Sequence, residues 1–503
     1  MQQKSYTQIL KSSSIIGGAQ GINLLLSMVR VKFAAVLIGP VGIGLLGNYS
    51  AIQGLIGTIA GLGIQSSAVR DVAQAVGRDD QEAIGRTVLS LRRVCWLTGL
   101  MGAVAMALLS PLLSQWTFGS DDYVLEIALL GLVILFGNLA GGQMALIQGM
   151  RRIGDLARLN IIGAAAGTLI AIWAYAWLGL GGIVPALLLM SAIQLLASGY
   201  FARRVAVPSV RMTWLASLRA TGGMLRLGMV FMWTSLIAAL VAFATRALIT
   251  QQIDLSAVGI FSAAFALSGM FVGFVLSAMG ADYYPRLTAA SHDPAAMNRL
   301  VNEQTEIGLL LAVPGLLATL SLAGWIIRIF YTGEFLPAAD LLQWFVLGCL
   351  GRVISWPLGF VMLALGKGVW YFVAETLWNF LHLSLIWIGL AVVGLKGVSI
   401  AFFILYIVVT ISAYFIAQRL TGFAWSDATR KLLLLLLPVT LLAFLGARLL
   451  PLWPSTLIGL AVTLVASIIC LRGLVTRIGQ EHRIVRSACR IPGMRWACGL
   501  PAS

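Results

Sequence analysis

Fourteen near-continuous apolar runs of about 20 residues dominate this chain. Each, as a helix, is long enough to cross the roughly 30 Å hydrocarbon core of a bilayer. They fall at 12–37, 43–64, 94–117, 124–148, 159–178 and 181–201, then at 223–248, 257–280, 306–330, 340–365, 371–393 and 397–417, and finally at 431–449 and 455–471. Only glycine-rich residues part 159–178 from 181–201, so one continuous kinked element is an alternative there. Long runs, rather than ten-residue alternation, point to helices that satisfy their own backbone groups and not to a barrel. With 60% of 503 residues apolar and only 10% charged, the chain cannot hide its apolar surface in water. The expectation is an all-α polytopic membrane protein of about 14 transmembrane helices.

The net charge of +16 raises the question of nucleic acid, and the placement of the charge answers it. If the N-terminus is cytoplasmic, most of the 34 Lys and Arg lie on inner segments, from Lys4 and Lys11 to the arginine-rich tail. Six lie outside or lean outward: Arg30, Lys32, Arg246, Arg328, Lys396 and Arg448; Arg352 falls within a helix. This bias predicts both termini inside and makes the excess charge a topogenic signal, with no nucleic-acid partner. The five cysteines show neither a disulfide framework nor metal-ligand spacing, and the first helix, lacking a small-residue cleavage site, is expected to be retained.

Two stretches repeat. Arg30 is followed by Pro40-Val41-Gly42-Ile43 as Arg246 is by Ala257-Val258-Gly259-Ile260, and each copy ends on a basic residue, Arg70 or Arg286. The copies begin six helices apart, and an even number keeps their orientation, so the halves are parallel repeats. This predicts two six-helix lobes around a central cleft, 1–222 and 223–417, followed by two extra helices and a basic cytoplasmic tail over 418–503 that read as an appendage.

The sequence from Arg30 to Asn48 resembles the first two helices of Wzx-type flippases, which carry lipid-linked O-antigen or enterobacterial-common-antigen units. Tyr284-Pro285-Arg286-Leu287, Tyr331-Thr-Gly-Glu-Phe335, and Ala364-Leu-Gly-Lys367 with Ala374-Glu375 are similar to the wider superfamily of polysaccharide and multidrug exporters. The resemblance covers roughly 5–420; many Wzx-type members stop at twelve helices, so the last two depart from it. It implies a flippase, not an enzyme, with no cofactor. The cargo would be an undecaprenyl-diphosphate-linked oligosaccharide, moved by alternating access to the outer leaflet of the bacterial inner membrane for surface polysaccharide synthesis. H+ or Na+ would be the coupling ion, and a polysaccharide polymerase and chain-length regulator the protein partners.

Three groups of residues are candidates for the chemistry. Arg30 lies 18 residues from Ser12, about 27 Å along a helix, where it either snorkels to the outer interface or meets a diphosphate bidentately. Lys32 is about 200° away round the helix and is the more natural snorkeller, while Arg246 matches Arg30 through the repeat. Together they form a predicted cationic cleft. Glu375, Asn379 and His382 make a polar stripe on one helix face, with Glu375 a candidate for proton uptake and release and the rest open to plain helix contacts. Asn48, Gln53, Asn138, Gln143 and Arg352 either line the cleft or join helices. No metal site and no nucleotide loop of the form G-x-x-x-x-G-K-[ST] is present, and the strip from Arg70 to Arg93 reads as an amphipathic cytoplasmic connector. An exporter of organic cations would favour acidic rather than basic residues in its helices. An enzyme acting on the same lipid would need a long outer loop, and the outer loops are short.

Overall fold

The computed structural model describes residues 2–78 and 80–478, with side chains from 18 onward except at 226, 227, 230, 231, 278, 281, 452 and 478. The arginine-rich tail beyond 478, Cys489, Cys498 and the side chains of Lys4 and Lys11 lie outside the described residues. Among the described residues every regular element is helical.

The first helix, α1 (Gln2–Gly61), is two helices joined at Gly39, whose φ of 61° and ψ of −167° belong to a region essentially reserved for glycine. Pro40 follows, and a ring there removes one helical hydrogen bond and crowds the preceding turn. Among the described residues twelve helical segments are long and apolar enough to cross a membrane. Two of them, Gly18–Gly61 and Ile153–Arg203, hold 44 and 51 residues. At 1.5 Å per residue they reach about 66 and 77 Å, more than twice a bilayer core. Each is broken, one at Gly39 and the other at the 3-10 turn Gly179–Gly182, so each has the length for two crossings. The alternative of a single helix over 159–201 therefore falls: Gly179 turns to φ 56°, α5 (Ile153–Leu178) stops, and α6 (Ile183–Arg203) packs back on it.

The connector after α1 is shorter than expected. Its amphipathic part is α2 (Ile64–Gly77), which buries Ile64, Ala68, Val72 and Ala75 at helical spacing. The next helix, α3 (Gln81–Phe118), starts well before the expected 94 because Asp80 caps it, accepting from the Ala83 amide at 2.9 Å. Arg86, Arg92 and Arg93 thus ride on the extended end of a membrane helix.

Packing divides the chain into two compact units. Unit 1 is Met1–Gly259 with Phe330–Thr332. In it α3 lies along α4 (Val124–Gly149), α5 along α1, and α6 along α4 and α5. The short α7 (Trp214–Ala220) rests on α3, and α8 (Gly222–Gln252) packs on α1, α2 and α3. The contact boundary therefore falls after α8, at Gly259, whereas the boundary drawn from the repeat falls before it, at 222. Ile52, Met106, Ile127, Leu130, Ala171 and Ile183 fill one core with no exposed surface. Arg93 fastens the segment before α7. Its Nη1 donates to the carbonyls of Met212 at 3.0 Å and Thr213 at 2.9 Å and to Ser217 Oγ at 2.8 Å, and its guanidinium lies 4.8 Å from the Trp214 ring centre.

Unit 2 is Ile260–Ile329 with Gly333–Ser503. It contains most of α9 (Leu255–Ala289), then α10 (Pro294–Ser321), α11 (Ala323–Phe330), α12 (Ala338–Ala364), α13 (Gly368–Val393), α14 (Leu395–Thr421), α15 (Asp427–Leu449) and α16 (Leu452–Ile478). Helix α10 packs against α12, α15 and α16. Its buried Glu306 accepts from Arg477 Nε at 2.6 Å, Thr429 Oγ1 at 2.8 Å and Ser426 Oγ at 3.1 Å, tying the start of α15 and the end of α16 to one carboxylate. Large apolar side chains on the outside of both units, such as Leu108, Trp177 and Leu434, stay about three-quarters exposed, as a lipid-facing surface requires.

Candidate functional site

Arg30, Lys32 and Arg246 all belong to unit 1. Arg30, half-buried in the first part of α1, lies over α5 at Gly167, where an added Cβ would come within 3.7 Å of its Nη1. The guanidinium is also near enough to Tyr175 to act on its hydroxyl electrostatically. Among the described residues no carboxylate pairs with Arg30. Lys32 turns to a different neighbour and donates its Nζ to the Tyr331 carbonyl. Burial pushes the Tyr331 phenol up to about 12.

Arg246 sits on α8, its Nη1 donating to the Ala242 carbonyl at 3.0 Å. The neighbouring turn is pinned from α1: buried Asn48 donates through Nδ2 to Thr250 Oγ1 at 2.9 Å. Asn48 was a candidate by type alone, and its partner Thr250 has no sequence signal beyond lying one turn from Arg246. Gln53 is half-buried further along α1. Gln143 joins helices: its Oε1 accepts from Ser198 Oγ of α6. Asn138 faces a polar cavity with Gln65 of α2.

Glu375, Asn379 and His382 lie along α13 in unit 2, and only the first two are joined. Asn379 Nδ2 donates to the Glu375 carbonyl at 2.8 Å and its carboxylate at 3.2 Å. His382 instead packs on the Phe402 ring, centres 6.0 Å apart. The carboxylate gains a second donor in Tyr371, and Arg352 of α12 lies close enough to interact with it electrostatically. Half-buried Tyr406 of α14 is within electrostatic reach of both Arg352 and Glu375. Tyr371 escaped sequence reasoning although extending the stripe one turn back, from 375 to 371, finds it. Tyr406 is on another helix, and only packing brings it near. A carboxylate held by a phenol and an amide, with a guanidinium nearby, is suited to bind or exchange a cation or proton inside a membrane helix bundle.

Residues 35–340 match the family described as "Polysaccharide biosynthesis protein". The lipid III flippase of Escherichia coli (strain K12) is 27% identical over 361 residues, which is 68% of this chain and 82% of that relative. Among solved structures, the lipid II flippase MurJ in an inward closed conformation matches with a TM-score of 0.65 at 15% identity, over 93% of this chain and 99% of that one. An inward-facing multidrug resistance MATE family transporter of the MOP superfamily also scores 0.65, at 14% identity, covering 80% of this chain and 96% of the transporter. At such identities the two structures speak to the fold alone.

Proposed function

Because this chain belongs to the polysaccharide biosynthesis protein family, we propose that it is a flippase for an undecaprenyl-diphosphate-linked oligosaccharide, moving it from the inner to the outer leaflet of the bacterial inner membrane. The E. coli relative's name, a lipid III flippase, supports a cargo of this class. The observation that carries the reading is the placement of Arg30 and Arg246 within the membrane helices of one unit, Arg30 lying beside Gly167 of α5 with no carboxylate partner among the described residues. A guanidinium at such depth costs about 2.5–3.5 kcal/mol on insertion scales, a cost that passage of a diphosphate would offset at each turnover. Alternating access would carry the headgroup past these cations while the polyprenyl tail stays in lipid. Both termini would face the cytoplasm, and the product would feed O-antigen or similar surface glycan assembly. Glu375, with Tyr371 and Asn379, is the group that would couple transport to a proton or sodium gradient.

The test is a strain deleted for the gene and complemented with Arg30→Ala or Arg246→Ala. Each variant should lower surface glycan at least about tenfold, while the lipid-linked precursor accumulates in the inner leaflet. Normal surface glycan in both strains would overturn the reading.

A further inference from the structure

A cavity of about 230 Å³ lies within unit 1 among the second half of α1, α2, α3, α4 and α8. Six polar side chains line it: Thr58, Gln65, Ser66, Thr98, Asn138 and Ser235. None of its lining residues is charged, and much of the remaining wall is glycine. Those glycines shape it. An added Cβ at Gly61 would lie 3.6 Å from Asn138 Oδ1 and one at Gly141 3.3 Å from Gln65 Oε1, whereas at Gly137 nothing lies within 4 Å. Bare backbone thus borders both amides and leaves open space between them. Asn138 Nδ2 is buried and has no hydrogen-bond partner among the described residues.

The lining selects a chemistry. With no carboxylate it does not suit a cation, and it has no Lys or Arg to neutralise a diphosphate. An apolar ligand would leave the Asn138 amide stranded, because a buried donor without an acceptor is costly. A volume several times the ~30 Å³ share of one water, walled by backbone and dotted with amides and hydroxyls, suits a neutral polyhydroxylated ring. We infer that this cavity is a sugar subsite that takes one neutral hexose unit of the transported headgroup, with Asn138 and Gln65 as its hydrogen-bonding residues. The inference rests on the flippase reading and adds to it a location for sugar recognition. On α8, Ser235 and Arg246 are 11 residues apart, about 16 Å along the axis. Sugar and diphosphate therefore have separate seats on a single helix.

Full-length protein in nanodiscs distinguishes the two readings with two probes: undecaprenyl diphosphate carrying a neutral hexose trisaccharide, and undecaprenyl diphosphate alone. Asn138→Ala should weaken binding of the glycosylated probe about tenfold, equivalent to 1.4 kcal/mol. Gly57→Leu, which fills the cavity from a position where a Cβ meets only Ile134 at 4.0 Å, should do the same. Both variants should bind the sugar-free probe within about twofold of wild type, which also shows that they are folded. Arg246→Ala should weaken both probes. Unchanged affinity for the glycosylated probe in both cavity variants, or equal weakening of the two probes, overturns the sugar subsite while leaving the flippase reading intact. Wild-type protein that binds neither probe overturns the flippase reading, and the subsite with it.

Discussion

Asn48 of α1 donates to Thr250 Oγ1 of α8 at 2.9 Å, and the same hydroxyl donates to the Arg246 carbonyl at 2.9 Å, so one buried amide on the first helix fixes the turn that carries a membrane arginine. Thr250→Val removes the acceptor and leaves a buried amide donor unsatisfied, at about 1–3 kcal/mol. The expected outcome is a melting temperature lower by several degrees and glycan export reduced, with export more strongly affected because Arg246 loses its register. Thermal unfolding in detergent, together with quantified surface glycan, checks this; an unchanged melting temperature would show that the bond contributes nothing.

The Glu375 cluster separates transport from gradient coupling. Glu375→Gln keeps an acceptor for Tyr371 and Asn379 but loses the titrating carboxyl, so expression and folding should match wild type. In proteoliposomes the acceleration of flipping by an imposed proton or sodium gradient should drop by about tenfold or more. A full response to both gradients would remove Glu375 from the coupling role.

Glu306 and Arg477 bridge helices whose sequence positions are 171 residues apart. Loss of one partner from a fully buried pair costs about 3–5 kcal/mol. Here 27% of the Arg477 side chain and 11% of that of Glu306 remain exposed, which places the expected cost of Arg477→Met below that range. Glu306→Gln, which can still accept from Ser426 and Thr429, should be milder. Paired unfolding curves decide the order, and a double variant less destabilised than the sum of the two singles would show the coupling.

Arg93 makes three hydrogen bonds and one ring contact around the segment that precedes α7. Lysine cannot reproduce a planar fork with a stacked face. Arg93→Lys and Arg93→Ala should therefore both expose 205–213 to added protease several times faster than wild type, the alanine variant more so. Equal cleavage rates in all three proteins would argue against the anchor.

Gly39 holds a backbone conformation that side chains avoid, so Gly39→Ala should cost about 1–3 kcal/mol. Pro40→Ala restores a backbone donor and should be tolerated better. Expression and melting temperature of the two single variants test the ranking.

Hydropathy alone determined that this chain spans a membrane as helices, because the bilayer accepts little except long apolar segments with internally satisfied backbones. Local sequence also ended one run at 37 and began the next at 43, on either side of Gly39-Pro40, and the phrases from Arg30 to Asn48 and around Tyr284 led to the family that residues 35–340 match. Side-chain neighbours were another matter. The period of a helix placed Glu375 and Asn379 on one face, yet Arg352 and Tyr406 joined them only through the packing of α12, α13 and α14. Arg30 was legible as a cation within a membrane helix, but its neighbour Gly167 of α5 lies far along the chain. The start of α3 moved because a single Asp80 side chain capped it, an effect smaller than the hydropathy signal used to draw the boundary. Which apolar or polar face meets which helix depends on small differences in packing between many similar surfaces, and only the tertiary structure decides among them.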